Sequence, residues 1–123
     1  MRILVTGSSG QLGAAIVRLL RPDHRVLGVD LLPGPETTHT GDLADRALIA
    51  ALVGQVEVVI HTASLHARHL AGMTKEAFIA TNVAGTRGLL TAAASGIRRF
   101  IYTSTTSIYG DALVPTDRAV WFT

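Results

Sequence analysis

The chain has 123 residues, 48% hydrophobic and 16% charged, with 11 basic side chains, 9 acidic ones and no cysteine. That length suits one domain with a real core, and the composition excludes a disordered chain. The missing cysteine excludes disulfides, thiolate catalysis and cysteine-ligated zinc, and the cations form no basic run of the kind that grips nucleic acid.

Residues 2–6 read as a short buried strand, with Ile3, Leu4 and Val5 apolar in succession. Gly7, Gly10 and Gly13 follow in a G-x-x-G-x-x-G spacing, and residues 11–21 read as a helix closed by Pro22. A strand, a glycine turn and a helix N-terminus make an anion site. The leading amides of a helix have no partner inside it, and their aligned dipoles favour a phosphate. Gly7 permits a tight turn, Gly10 lets the backbone approach a pyrophosphate, and Gly13 lets the helix pack closely on the strand. Alone, that pattern also fits any glycine-rich turn. A second strand over 25–29 narrows it, because it ends on Asp30, roughly 20 residues past the turn, where a ribose diol would be held. Together these features point to a dinucleotide-binding start. Asp30 should bond the ribose hydroxyls of NAD and repel the 2′-phosphate of NADP. No arginine or lysine between 31 and 41 is available to receive that phosphate.

Leu31 to Thr40, with Pro33, Gly34 and Pro35, reads as a surface loop, in which Thr37-Thr38-His39-Thr40 fits a short third strand. Asp42 or Asp45 can cap a helix over 44–53, stopped by Gly54. A fourth strand over 56–60, with Val58-Val59-Ile60 suited to burial on both faces, leads into His61-Thr62-Ala63-Ser64 beside the expected crevice. A lone histidine there is more often structural than catalytic. Residues 64–72 are ambiguous, and His66 and His69 lack a third ligand for a metal. Thr74 caps a long helix over 75–95, ended by Gly96, with Phe78, Ile79, Val83, Leu89 and Leu90 suited to one buried stripe. A fifth strand over 99–103 runs into Thr103-Ser104-Thr105-Thr106-Ser107-Ile108-Tyr109-Gly110. Its hydroxyls make either a polar turn or hydrogen bonds to a reacting alcohol or carbonyl. Strands alternating with helices imply one doubly wound parallel sheet with right-handed crossovers. The apolar runs fall short of the roughly 20 residues a membrane helix needs and no signal-peptide pattern opens the chain, so the expected location is the cytoplasm.

Thr6-Gly7-x-x-Gly10-x-x-Gly13, Asp30, Asp42-Leu43, His61-x-Ala63-Ser64, Asn82-Val83-x-Gly85-Thr86 and Thr103-Ser104-x-x-Ser107-Ile108-Tyr109-Gly110 occur in that order. The set resembles the extended short-chain dehydrogenase/reductases, in particular the NAD-dependent sugar-nucleotide epimerases and dehydratases, and covers essentially the whole chain. The resemblance implies a Rossmann-type α/β fold of about five parallel strands in the order 3-2-1-4-5, helices on both faces, truncated relative to the family. Residues 1–110 would form the NAD-binding domain and 111–123 a tail leading toward an absent catalytic and substrate region.

Carried over, the resemblance gives Gly7, Gly10 and Gly13 the pyrophosphate, with Gln11 and Leu12 at the helix start beneath it. It gives Asp30 the adenosine ribose, and Asp42 and Leu43 the adenine. Ala63 and Thr103 would line the cofactor and Asn82 would fix the long helix near it. Thr105 would hydrogen-bond the substrate oxygen. The family's base is a tyrosine with a lysine four residues on, whose cation lowers the phenol's pKa so that it can take a proton while hydride moves to NAD. Here position 106 after Tyr102 is threonine, position 113 after Tyr109 is leucine, and the only lysine is Lys75. The expected pair would lie beyond residue 123. The chain is therefore expected to bind NAD without turning over a nucleotide-sugar or similar alcohol or ketone by itself. The alternative is a non-catalytic NAD- or nucleotide-binding module, or an inactive fragment. An open edge at the fifth strand and the uncovered face of the long helix favour self-association.

Overall fold

In the computed structural model, residues 1–66, 72–94 and 96–105 are described. Five parallel strands form one sheet: β1 (Arg2–Thr6), β2 (Arg25–Asp30), β3 (His39–Thr40), β4 (Val58–His61) and β5 (Arg99–Tyr102). Their order is β3-β2-β1-β4-β5, the expected one. Helices α1 (Gln11–Leu20), α2 (Arg46–Val53), α3 (Lys75–Phe78) and α4 (Thr86–Ala93) make the connections, with a π-helical turn, Ile79–Gly85, between the last two.

Alternation along the strands sorts the core into two layers. Ile3, Val5, Val26 and Val58 face α1 and meet Val17, with Ile16 and Leu20 packed at the side. Leu4, Val29 and Val59 face the opposite way, toward Ile49, Leu52 and Val53 of α2 and Leu89 and Ala93 of α4. Each large aliphatic side chain buried this way contributes on the order of 1.5–3 kcal/mol. The strand-one run is therefore apolar throughout because both its faces are covered.

Several boundaries differ from those read in the sequence. Asp45, not Asp42, caps α2, its Oδ1 accepting from Leu48 N at 3.0 Å, so the helix starts two residues later than expected. Asp42 instead accepts from Ala44 N at 2.9 Å in a turn before the helix. β3 is confined to His39–Thr40, because Thr38 spends its side chain on the β2 backbone, donating to Gly28 O and accepting from Gly28 N. The fourth strand pairs over Val58–His61, placing His61 opposite Thr6.

The long helix departs most from expectation. Its predicted stripe is not buried as a unit: Ile79, Val83 and Leu90 are 49%, 57% and 47% exposed. A π turn inserts an extra residue into the helical repeat and rotates everything after it. The buried set is instead Gly85, Leu89 and Ala93, at a spacing of four. Ser95 and residues 106–123 lie outside the described residues, as do residues 67–71 of the ambiguous 64–72 stretch.

Candidate dinucleotide site

β1 delivers the chain into a turn that only glycine satisfies at two of its three glycine positions. Gly7 has φ 75°, a left-handed conformation, and a Cβ there would stand 2.8 Å from Ala63 N. A Cβ on Gly13 would overlap the Gly7 carbonyl oxygen and lie 2.9 Å from Thr62 Oγ1. Gly10 differs. Its φ is −75° and its ψ 162°, it is exposed, and a Cβ there would meet only Gly7 O, at 3.2 Å. Gly10 is the N-cap of α1, with no side chain capping the helix and no acidic residue in the first turn. Gln11 and Leu12 follow it, both exposed. The leading amides of α1 are thus presented beside a position kept free of a side chain.

Asp30 ends β2 beside this turn. Its Oδ2 accepts from Ser9 N and its Oδ1 from Leu32 N, each at 3.0 Å. A carboxylate offers about four lone-pair positions, so one remains on each oxygen, matching two adjacent hydroxyls. Segment 31–38, read in the sequence as a plain loop, folds back across the turn. Ser9 Oγ donates to Leu32 O at 2.6 Å, and Thr37 Oγ1 lies 2.6 Å from Ser8 Oγ and 2.7 Å from Ser9 Oγ. Glu36 is buried, its carboxylate 2.6 Å from Arg21 and 3.6 Å from Arg18 on α1.

The opposite wall comes from the end of β4. His61 is 1% exposed and clasped on both ring nitrogens: Thr6 Oγ1 is 2.6 Å from Nδ1 and Thr86 Oγ1 2.8 Å from Nε2. A neutral imidazole donates at one nitrogen and accepts at the other, which suits two hydroxyls. Burial lowers its pKa to about 4. This histidine joins β1, β4 and α4 and is structural. Thr6 Oγ1 also accepts from Ala63 N at 3.3 Å, holding Ala63 against Gly7. Asn82, in the π turn, accepts from Leu65 N and donates to Leu65 O, both at 2.8 Å. It fixes the segment after β4 by copying the hydrogen-bond pattern of a neighbouring strand.

Gly7, Gly10, Gly13, Asp30 and Ala63 therefore come together around one turn, with Asn82 securing the segment after β4. Asp42 is exposed, whereas the Leu43 side chain is buried in the α2–α4 core layer. Thr103 donates its N–H to His61 O at 3.1 Å, just past β5, and Thr105 is an exposed residue two positions on. The Ser107 and Tyr109 positions fall outside the described residues. Sequence reading passed over Ser8, Ser9 and Thr37, whose hydroxyls meet across nearly thirty positions of chain with no local pattern to announce them.

A parallel sheet with an open glycine turn at a helix N-terminus and an acid at the tip of β2 defines a Rossmann-type α/β domain. The sequence matches the NAD dependent epimerase/dehydratase family over residues 3–120, and the chain belongs to that family. A 3-beta-hydroxysteroid dehydrogenase of Mycolicibacterium neoaurum is 31% identical over 137 residues, a match covering 99% of this chain and 37% of the relative. A solved short-chain dehydrogenase/reductase superfamily protein of Agrobacterium tumefaciens with bound NAD is 36% identical, with TM-score 0.77 over 89% of this chain and 34% of that one. MoeE5 in complex with UDP-glucose and NAD is 28% identical, with TM-score 0.80 over 91% of this chain and 39% of that one. The chain thus spans little more than a third of each of these proteins.

Proposed function

We propose that this chain is the NAD-binding portion of an NAD-dependent epimerase or dehydratase acting on a nucleotide-sugar or similar alcohol or ketone. The observation that carries the reading is Gly10. Its backbone conformation suits any residue and a Cβ would ask only the Gly7 carbonyl to shift by a few tenths of an ångström, so glycine at this exposed position leaves the helix start open to a ligand. In this reading the Gly7–Gly13 turn holds the pyrophosphate, with Gln11 and Leu12 at its helix end. Asp30 takes the ribose diol. Asp42 and the main chain at Leu43 edge the adenine, while Ala63 and Thr103 line the far side. Thr105 reaches toward the substrate oxygen. The cofactor supplies the hydride acceptor.

An acid at Asp30, with no cation over 31–41, favours NAD over NADP. Titration calorimetry on residues 1–123 should give heat for NAD and ADP-ribose, weaker binding of NADP, and roughly ten-fold weaker NAD binding for Asp30→Ala. No tyrosine of this sequence has a lysine four residues on, so the same material should not turn over UDP-glucose. Turnover by residues 1–123 alone would overturn that part. No heat and no thermal shift with NAD would overturn the whole reading.

Self-association belongs to this proposal too. Among the described residues β5 pairs on one side only, and a groove of about 240 Å³ beside it is lined by Ile3, Leu20, Val58, Ile60 and Ile101. Ile79, Val83 and Leu90 add an apolar helix face. Light scattering at increasing concentration should report a mass above that of one chain; a single-chain mass throughout would count against it.

A further inference from the structure

Segment 31–38 does more than connect two strands. Its hydroxyl contacts have one consistent proton direction. Ser9 Oγ gives its single proton to the Leu32 carbonyl, which can only accept. The 2.7 Å contact between Thr37 and Ser9 is then a donation from Thr37. With the Thr37 proton used, the 2.6 Å contact to Ser8 is a donation from Ser8. The chain runs Ser8 to Thr37 to Ser9 to Leu32, each hydroxyl donating once. Ser8 is fully buried, so it has no water to replace Thr37.

The last two members of this chain bear on Asp30. Ser9 and Leu32, linked through Ser9 Oγ, are the two residues whose main-chain N–H groups hold the Asp30 carboxylate, one on each oxygen. The plane of that carboxylate, and hence the direction of its two remaining lone pairs, is set by where Ser9 and Leu32 sit. A second anchor comes from the Glu36 carboxylate. Its Oε2 has no partner aligned as a hydrogen bond, and its 2.6 Å contact with Arg21 is an ion pair that ties the segment to the residue capping the C-terminal end of α1. A Cβ on Gly34 would stand 2.6 Å from Ser9 Oγ, so the segment lies directly on the turn.

We propose that residues 31–38 form a strap, latched by Thr37 onto Ser8 and Ser9, that orients Asp30 for the ribose diol of a dinucleotide. Thr37 is a positioning residue: it acts through Ser9 and Leu32 on Asp30. The inference rests on the NAD-binding reading above.

The test is a double-mutant cycle by titration calorimetry with NAD on residues 1–123, each variant's fold checked by circular dichroism. Thr37→Val, which keeps the shape and removes the hydroxyl, should weaken NAD about ten-fold. Thr37→Ser should restore binding to within about two-fold. In an Asp30→Ala background Thr37→Val should cost less than about two-fold, because the group it orients is gone. If Thr37→Val does not fold, Ser9→Ala breaks the same chain at a partly exposed position, keeps the Ser9 N–H, and should show the same coupling to Asp30. Wild-type binding with no effect of either variant, or with an effect that persists in full without Asp30, would overturn the strap alone. A wild-type chain that gives no heat with NAD would overturn the dinucleotide reading and the strap with it.

Discussion

Gly13→Ala should unseat the glycine turn, lower stability by about 2 kcal/mol and abolish NAD binding. The new methyl would overlap the Gly7 carbonyl oxygen, with the Gly7 carbonyl carbon 2.7 Å away and Thr62 Oγ1 at 2.9 Å. Two of these atoms are main chain at a residue already fixed by a left-handed φ and by bonds from Gly7 N to Val29 O and from Gly10 N to Gly7 O. That carbonyl cannot move far enough to clear an overlap, so α1 must lift from β1, and overpacking of this kind costs on the order of 1–3 kcal/mol. Alanine's helix advantage over glycine returns only about 1 kcal/mol. Packing wins. Gly10→Ala is the contrasting case, because only the Gly7 carbonyl must give, by a few tenths of an ångström. Its urea midpoint should stay close to wild type while NAD binding weakens at least ten-fold, the methyl occupying the phosphate's approach. A Gly13→Ala protein as stable as wild type would refute the packing argument, and normal NAD binding by Gly10→Ala would refute the role given to the helix start.

These two glycines explain why the first half of the fold was legible in the sequence. Strand one, α1 and strand two follow from steric demands that act over a few residues, and an apolar run such as Ile3–Val5 has one stable use, burial on both faces. The alternation of elements implied a parallel sheet, and the strand order came from the family resemblance. Legibility ended where tertiary partners override local pattern. Phe78 to Leu90 fits one helical stripe only if the helix keeps a 3.6-residue repeat, and the π turn over Ile79–Gly85 breaks that repeat while Asn82 holds Leu65. Gly7 and Gly13 were identifiable because the turn requires glycine there, and Gly10 and Asp30 stood out by their spacing from it. Thr37 was not, since a threonine after a proline-glycine loop satisfies many local geometries and its partners Ser8 and Ser9 are distant in sequence. His61 stood out as a titratable group at a strand end, yet only the hydroxyls of Thr6 and Thr86 on either side reveal it as a clasp.

That clasp makes the fold sensitive to acid. The His61 imidazole titrates at about 6.5 when unfolded and at about 4 in the fold, where burial disfavours the cation. Between those values the unfolded chain binds a proton that the folded chain refuses, so stability falls as the pH drops from 6.5 toward 4 and is fully present above that window. The gap, at about 1.36 kcal/mol per pH unit, comes to about 3 kcal/mol. A second group acts in a lower range. Glu57, held below its ordinary value of 4.5 chiefly by the Arg2 main-chain N–H, contributes stability that is lost only as the pH falls below that value. The slope between pH 6.5 and 5 in urea unfolding should therefore disappear in His61→Phe, even though that variant is less stable throughout for want of partners to Thr6 and Thr86. Because Thr6 also holds Ala63 against the Gly7 turn, NAD affinity of the folded wild-type chain should hold down to pH 5 and decline only as the pH approaches 4, where the folded imidazole takes its proton. A wild-type stability profile flat from pH 6.5 to 5 would mean that the imidazole can take its proton without leaving the fold, and the clasp would then be no constraint on the crevice.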